Sequence, residues 1–271
     1  MEIQWSLVFF SAIGGVGACL FASAALEFLL GRDTGKQLFE SVISLVLLAV
    51  GGILSVTHLS HPSRILEALN HPTSGIFIEA LLIGLTGLCV LIYLIVSLRD
   101  VSPTIRKVFA GAGLVLGLAF AFACGFSYII PARAAWDTLA LPLAYLGTVL
   151  GAGAALNLFI KAFAKNESSD TQMATRIALV AGVFSLLTVL IYCLNVSSVL
   201  FSVTDAVLPW VIVLFGSLLI ATICCIAALR KGKDNHLFAS VALLGALVGA
   251  VALRSLMWLL GSGLLDFFQV I

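Results

Sequence analysis

Four residues place an ionisable or hydrogen-bonding group in, or at the edge of, a long apolar run: His58, Glu79, Tyr128 and Arg254. The densest polar stretch spans 57–80, THLSHPSRILEALNHPTSGIFIEA, and holds His58, His61 and His71, three of the four histidines in the chain. His58 closes one apolar run. Glu79 lies just inside the next, about 6 Å deep if that helix starts near Gly75. One link joins the two runs, so both groups meet at the same level. An imidazole and a carboxyl at the lipid edge can together accept two protons. That suits a two-electron, two-proton substrate such as a quinol. Two plainer readings stay open: His58 as a polar cap on loop backbone, and Glu79 as a carboxylate snorkelling to the interface.

The other polar groups divide by level. His61 and His71 each precede a proline, which biases them towards extended backbone; they read as structural or partner-facing. Residues 63–69 can form a short surface helix, with Ile65, Leu66 and Leu69 on one face and Arg64 and Glu67 on the other. Ser74 or Thr73 is expected to cap the following helix. Arg254 lies well inside the last apolar run. It can pair with Glu79 or Asp266, contact a quinone head group, or form a helix–helix ion pair without chemistry. Tyr128, Trp136, Asp137 and Asp205 fall at the same level. Glu27 and Glu40 fall near the opposite helix ends and are expected to reach water. Asn157 and Asn195 are expected to bond neighbouring helices.

Metal chemistry finds little support. A bis-histidine haem needs two imidazoles facing each other across a bundle. His236 falls at the opposite end from His58, His61 and His71, so no haem is expected. The six cysteines, Cys19, Cys89, Cys124, Cys193, Cys224 and Cys225, all lie in apolar runs, with no Cys-x-x-Cys pair. They read as small buried hydrophobes, and no iron–sulfur cluster or other metal site is expected in this chain.

The elements that position these residues follow from composition. The chain has 271 residues, 62% hydrophobic and 10% charged, with a mean hydropathy of +1.20. A soluble domain carries about 25% charged residues. The apolar runs lack the period-2 alternation of barrel strands, so the fold class is an all-α polytopic membrane bundle. Spans are expected over 5–30, 37–58, 75–98, 104–129, 139–162, 171–195, 206–229 and 236–260, which makes eight. Before the first run the chain offers Glu2 and no basic region, so that run is read as a spanning helix and not as a signal peptide. Short links make neighbouring helices antiparallel, and residues 1–271 read as a single transmembrane domain. A net charge of +1 gives no reason to expect a nucleic-acid partner.

Basic residues set the orientation. Of the 14 lysines and arginines, 11 fall on one side of the spans; Arg64 and Arg133 fall on the other. By the positive-inside rule both termini, and the link that carries His61 and His71, face outward. Trp5, Trp136, Trp210 and Trp258 all fall near outer helix ends, either as an outer docking surface or as a chance run. Gly113 and Gly117, Gly147 and Gly151, and Gly245 and Gly249 recur at four-residue spacing, a packing signal. The first and fifth spans share a GxGAxL-like texture at Gly15–Leu20 and Gly151–Leu156, a weak sign of a four-plus-four duplication.

Eight spans with both ends outside, and a second span closing in His58-Leu59-x-x-Pro62, resemble the membrane anchor subunit of the dimethyl sulfoxide reductase family. That family is related to the polysulfide and nitrite reductase anchor class. Arg64, Ser74 and Glu79 continue the match. The usual Gly after His-Leu is Ser60 here, and Gly75–Ile78 replace a Ser/Asn-rich lead into the Glu. The resemblance implies an anchor with no prosthetic group of its own. It implies menaquinol as bound substrate near the outer face, with His58 as the quinol-site histidine and Glu79 as the essential carboxylate. The implied partners are a four-cluster ferredoxin-like iron–sulfur subunit and a molybdopterin catalytic subunit. The implied location is the cytoplasmic membrane of a prokaryote.

The resulting expectation is menaquinol oxidation at the outer edge, with His58 and Glu79 as proton acceptors and Arg254 and Tyr128 as further quinol contacts. Activity is expected only within the complex. Two alternatives remain. A secondary transporter would need ionisable or broken-helix features near the midplane. A structural anchor without quinone chemistry would need only the bundle.

Overall fold

A computed structural model describes residues 3–32, 36–57, 70–99, 102–164, 168–202, 204–231 and 235–261. The described chain is helical throughout: α1 (Trp5–Leu29), α2 (Gln37–Thr57), α3 (Gly75–Leu98), α4 (Pro103–Phe126), α5 (Ala140–Phe163), α6 (Ser168–Asn195), α7 (Ser197–Ser202), α8 (Thr204–Lys231) and α9 (His236–Leu260). Eight of these helices are long and apolar enough to cross a membrane. A helix rises about 1.5 Å per residue, so some 20 apolar residues cross about 30 Å of hydrocarbon and satisfy every backbone group internally. The expected spans hold to within a few residues. The exception in kind is the six-residue α7, which the apolar pattern did not single out.

The packing divides the helices into two rings of four. In one, α1 packs on α2, α2 on α3, α3 on α4 and α4 back on α1. In the other, α5 packs on α6, α6 on α8, α8 on α9 and α9 back on α5. The rings join mainly through α1 and α5, with α4 also against α5. The two helices with GxGAxL-like texture are therefore the two at the seam, and the motifs meet there. A Cβ on Gly153 would lie 2.6 Å from backbone atoms of Cys19 and Leu20, and one on Gly15 would lie 2.9 Å from Val149. Only a residue without a side chain lets the two backbones approach so closely. The other spaced glycines also mark contacts, with Gly113 and Gly117 on α1, Gly147 and Gly151 on α6, and Gly245 and Gly249 on α8.

Because they sit at the seam, α1 and α5 are mostly buried, while α2 and α3 turn large side chains such as Ile53 and Leu88 outward. Exposed leucine and isoleucine carry no penalty where the surroundings are lipid tails. The interior is correspondingly rich in Ala, Gly, Ser and Thr. Hydroxyls inside it mostly donate to the carbonyl one turn back, as Thr148 does to Ala144 (3.0 Å) and Ser23 to Cys19 (2.9 Å). One crosses between helices: Ser44 of α2 donates to the Gly17 carbonyl of α1 at 2.6 Å.

Candidate functional site

The start of α3 carries the first ionisable candidate. Ser74 has extended backbone and its hydroxyl accepts from the Phe77 N–H at 3.2 Å, the expected N-cap. The cap fixes where the helix begins, so Glu79 falls in its second turn, half-buried. Gly75 lies directly against Ser127, just past the end of α4, where a Cβ would come within 2.8 Å of the Ser127 side chain. This close approach brings the Ser127 hydroxyl into hydrogen-bonding reach of the Glu79 carboxyl. Ser127 also donates to the Ala123 carbonyl at 3.0 Å. Sequence reasoning missed Ser127; the small residue at Gly75 was the only local sign of a close neighbour.

Beyond Ser127 the chain leaves α4 and crosses the end of the bundle before entering α5. Three contacts pin this crossing. The Trp136 indole N–H donates to the Met257 carbonyl at 2.9 Å, Arg133 donates to the Gly261 carbonyl at 3.2 Å, and the Tyr192 hydroxyl donates to the Ala135 carbonyl at 3.1 Å. The Arg133 guanidinium also stacks 4.2 Å above the Trp136 ring, a contact favoured by the ring quadrupole.

These constraints build an aromatic cluster. Tyr128 packs edge-on against Trp136 and Trp258, with ring centroids 5.6 and 5.8 Å away, and lies 5.9 Å from Tyr145. Trp136 and Trp258 meet edge-to-face at 5.4 Å. Both tryptophans are buried, so they form part of the interior and not an outer belt, contrary to the docking-surface reading. Trp5 does lie exposed, stacked on Phe9. The Trp258 indole N–H is buried with no acceptor among the described residues.

Arg254 completes the cluster from below. Its guanidinium lies 4.3 Å over the Tyr145 ring and is fully buried. Its Nε donates to the Ser11 hydroxyl at 2.8 Å and Nη2 to the Ser11 carbonyl at 3.2 Å. Nη1 donates to Thr148 at 3.3 Å and to the Ala250 carbonyl at 2.9 Å. All these acceptors are neutral, and no described carboxylate forms an ion pair with it. Arg254 thus ties α9 to α1 and α5. Glu79, Tyr145, Cys124 and Arg254 each lie close enough to Tyr128 to act on it electrostatically. Three of the four sequence candidates, Glu79, Tyr128 and Arg254, therefore converge. The fourth, His58, lies outside the described residues, as do His61, the 63–69 segment and Asp266. His71 is exposed, and His236 packs against Phe163 at the far end of the bundle, with ring centroids 4.9 Å apart.

That far end holds a second charged group that sequence reasoning placed wrongly. Glu27, Glu40 and Lys161 do not reach water; each is 2% exposed or less. Lys161 of α5 pairs directly with Glu27 of α1 and lies 3.8 Å from Glu40 of α2. Asn157 donates to Glu27 at 2.9 Å, which confirms the helix-bridging role expected of it. Asn195, expected to do the same, instead donates to Ile191 of its own helix at 2.9 Å. Glu27 and Lys161 each fall within a turn of a helix end, so sequence alone could not separate buried from solvated.

A helical bundle with eight segments long and apolar enough to span, and no other described helix longer than α7, defines a polytopic membrane protein. Among the described residues, an aromatic and ionisable cluster lies at the end of the bundle that carries fewer basic residues. The chain belongs to the DMSO reductase anchor subunit (DmsC) family, whose sequence pattern matches residues 1–260. Among curated proteins none matches the chain.

Proposed function

We propose that this subunit oxidises menaquinol at the Glu79 end of the bundle and passes two electrons to a docked iron–sulfur partner, which serves a molybdopterin catalytic subunit. The observation that carries the reading is the convergence of Glu79, half-buried beside Ser127, with Tyr128 and the Trp136–Trp258 pair. A carboxylate at the lipid edge can accept a proton, and flat aromatic walls suit a flat quinone ring. The unpartnered Trp258 N–H supplies a donor for a ring oxygen.

The step balances as a quinol losing two protons and two electrons to become the quinone. Glu79 takes one proton, and His58, the residue after the last described position of α2, takes the other. Both electrons leave to the partner. With the basic loops inside, both protons leave to the outer side of the cytoplasmic membrane and no charge crosses it. Arg254, held by α1 and α5, keeps a positive charge beneath the cluster and so favours electron density above it.

Glu79→Gln tests the proton role. The subunit complex carrying it should remain assembled and lose most of its quinol-dependent reduction of the partner, while an artificial donor to the partner still works. Unchanged quinol turnover would remove Glu79 from the mechanism.

A further inference from the structure

A cleft of 770 Å³ opens between α1, α4, α5 and α6, towards the basic end of the bundle. Its walls are almost wholly apolar, with Leu114 and Leu118 on α4, Leu146 and Leu150 on α5, and Val180 and Phe184 on α6 among them. Two polar residues line it. The Ser23 hydroxyl is engaged with the Cys19 carbonyl at 2.9 Å. Arg176, exposed and without an ion-pair partner among the described residues, stands towards the basic end.

We propose that this cleft binds an anionic phospholipid, with an acyl chain between α4 and α6 and its phosphate on Arg176. The dimensions agree. Arg176 and Phe184 are eight residues apart on α6, a rise of roughly 12 Å, close to the depth of one leaflet of a hydrocarbon core about 30 Å thick. The volume falls within the usual range for small-molecule sites, about 300–1,000 Å³. The charge agrees as well. A planar guanidinium matches a phosphate diester in two-point fashion, and basic pockets between spanning helices select anionic head groups.

A quinone ring fits this cleft poorly, since its carbonyls would find one free donor group and no carboxyl. The lining also explains what the lipid does. Its walls come from both rings of helices, α1 and α4 on one side and α5 and α6 on the other. A lipid seated there fills the seam between the rings on the side where α4 and α6 do not themselves pack together.

The full complex, reconstituted in nanodiscs of mixed phosphatidylglycerol and phosphatidylcholine and released for native mass spectrometry, tests this. The native chain should retain phosphatidylglycerol over phosphatidylcholine by about fivefold, the value of roughly 1 kcal/mol for one basic residue at the membrane surface. Arg176→Gln should erase that preference. Val180→Trp should displace both lipids, and because Val180 is 70% exposed the fold should tolerate it. Retention of phosphatidylglycerol unchanged in Arg176→Gln, or unchanged lipid content in Val180→Trp, would overturn the proposal. So would displacement of the bound lipid by a quinone analogue. The proposal stands apart from the Glu79 reading: neither variant should change quinol turnover, and failure here would leave that reading intact.

Discussion

Arg254 on α9 and Ser11 on α1 are joined twice, through the Ser11 hydroxyl at 2.8 Å and the Ser11 carbonyl at 3.2 Å, deep in a fully buried contact. The first and last spans of the bundle are thus tied by one side chain. Its third and fourth bonds reach Thr148 of α5 and the Ala250 carbonyl of its own helix. A hydrogen bond to a charged group is worth about 1.5–3 kcal/mol, so Ser11→Ala should lower thermal stability measurably in detergent. Arg254→Lys should cost more, because a lysine ammonium lacks the planar fork of donors that meets Ser11, Thr148 and Ala250 at once. If Arg254→Lys left stability unchanged and abolished quinol turnover, Arg254 would be a substrate contact and not a tie.

Lys161 carries the opposite end. It pairs directly with the buried Glu27 carboxylate and lies 3.8 Å from the buried Glu40 carboxyl, on two other helices. Removing one partner of a buried pair costs about 3–5 kcal/mol, since a charge is then left uncompensated. Lys161→Met should therefore unfold or fail to accumulate. Combining it with Glu27→Gln and Glu40→Gln should restore much of the lost stability, read as melting temperature. A triple variant no better than the single would show that the cluster does more than balance its own charge.

The α1–α5 seam offers a steric test. A Cβ at Gly153 meets Cys19 and Leu20 atoms at 2.6 Å, while one at Gly84 meets nothing within 4 Å. Gly153→Ala should destabilise by about 1–3 kcal/mol through overpacking. Gly84→Ala should be neutral or slightly stabilising, since it removes chain entropy from the unfolded state. Equal melting temperatures for the two would mean that the seam opens to accommodate a methyl group.

Much of this architecture was legible because a membrane imposes few choices. Length and apolarity alone located α1 to α6, α8 and α9, and the spaced glycines marked positions of close packing without naming the helices they meet. The level of Glu79, Tyr128 and Arg254 followed from their distance along each helix. Facing was harder. Glu27, Glu40 and Lys161 lie near helix ends, where one turn of rotation separates water from protein interior, and no periodicity of charge distinguished the two. The docking-surface alternative for Trp136 and Trp258 failed for the same reason: position near a helix end does not say which way a tryptophan faces unless its partner is known. That partner, Met257 for Trp136, lies 121 residues further along the chain. Likewise nothing local to Arg254 named Ser11, 243 residues away, as its acceptor.

The two tryptophans permit a comparison, because their rings touch and their N–H groups differ in use. Trp136 donates to the Met257 carbonyl at 2.9 Å, and Trp258 donates to nothing among the described residues. Replacement by Phe removes each N–H and keeps an aromatic ring. Trp136→Phe removes one of two donors to the Met257 carbonyl, which keeps the Gly261 N–H at 3.0 Å; the loss of one hydrogen bond, about 1 kcal/mol, should lower the melting temperature. Trp258→Phe removes a donor that is already unsatisfied, so its effect on stability should be smaller. If the Trp258 N–H serves a quinone oxygen, that variant should instead raise the KM for quinol by about tenfold, the equivalent of one hydrogen bond of roughly 1.4 kcal/mol. Loss of a contact made equally in the ground state and transition state raises KM and leaves kcat in place. Steady-state kinetics of the assembled complex with a soluble quinol, beside melting curves, separates the outcomes. A Trp258→Phe complex with native KM would mean that the quinol head group lies elsewhere along the Glu79–Tyr128 edge.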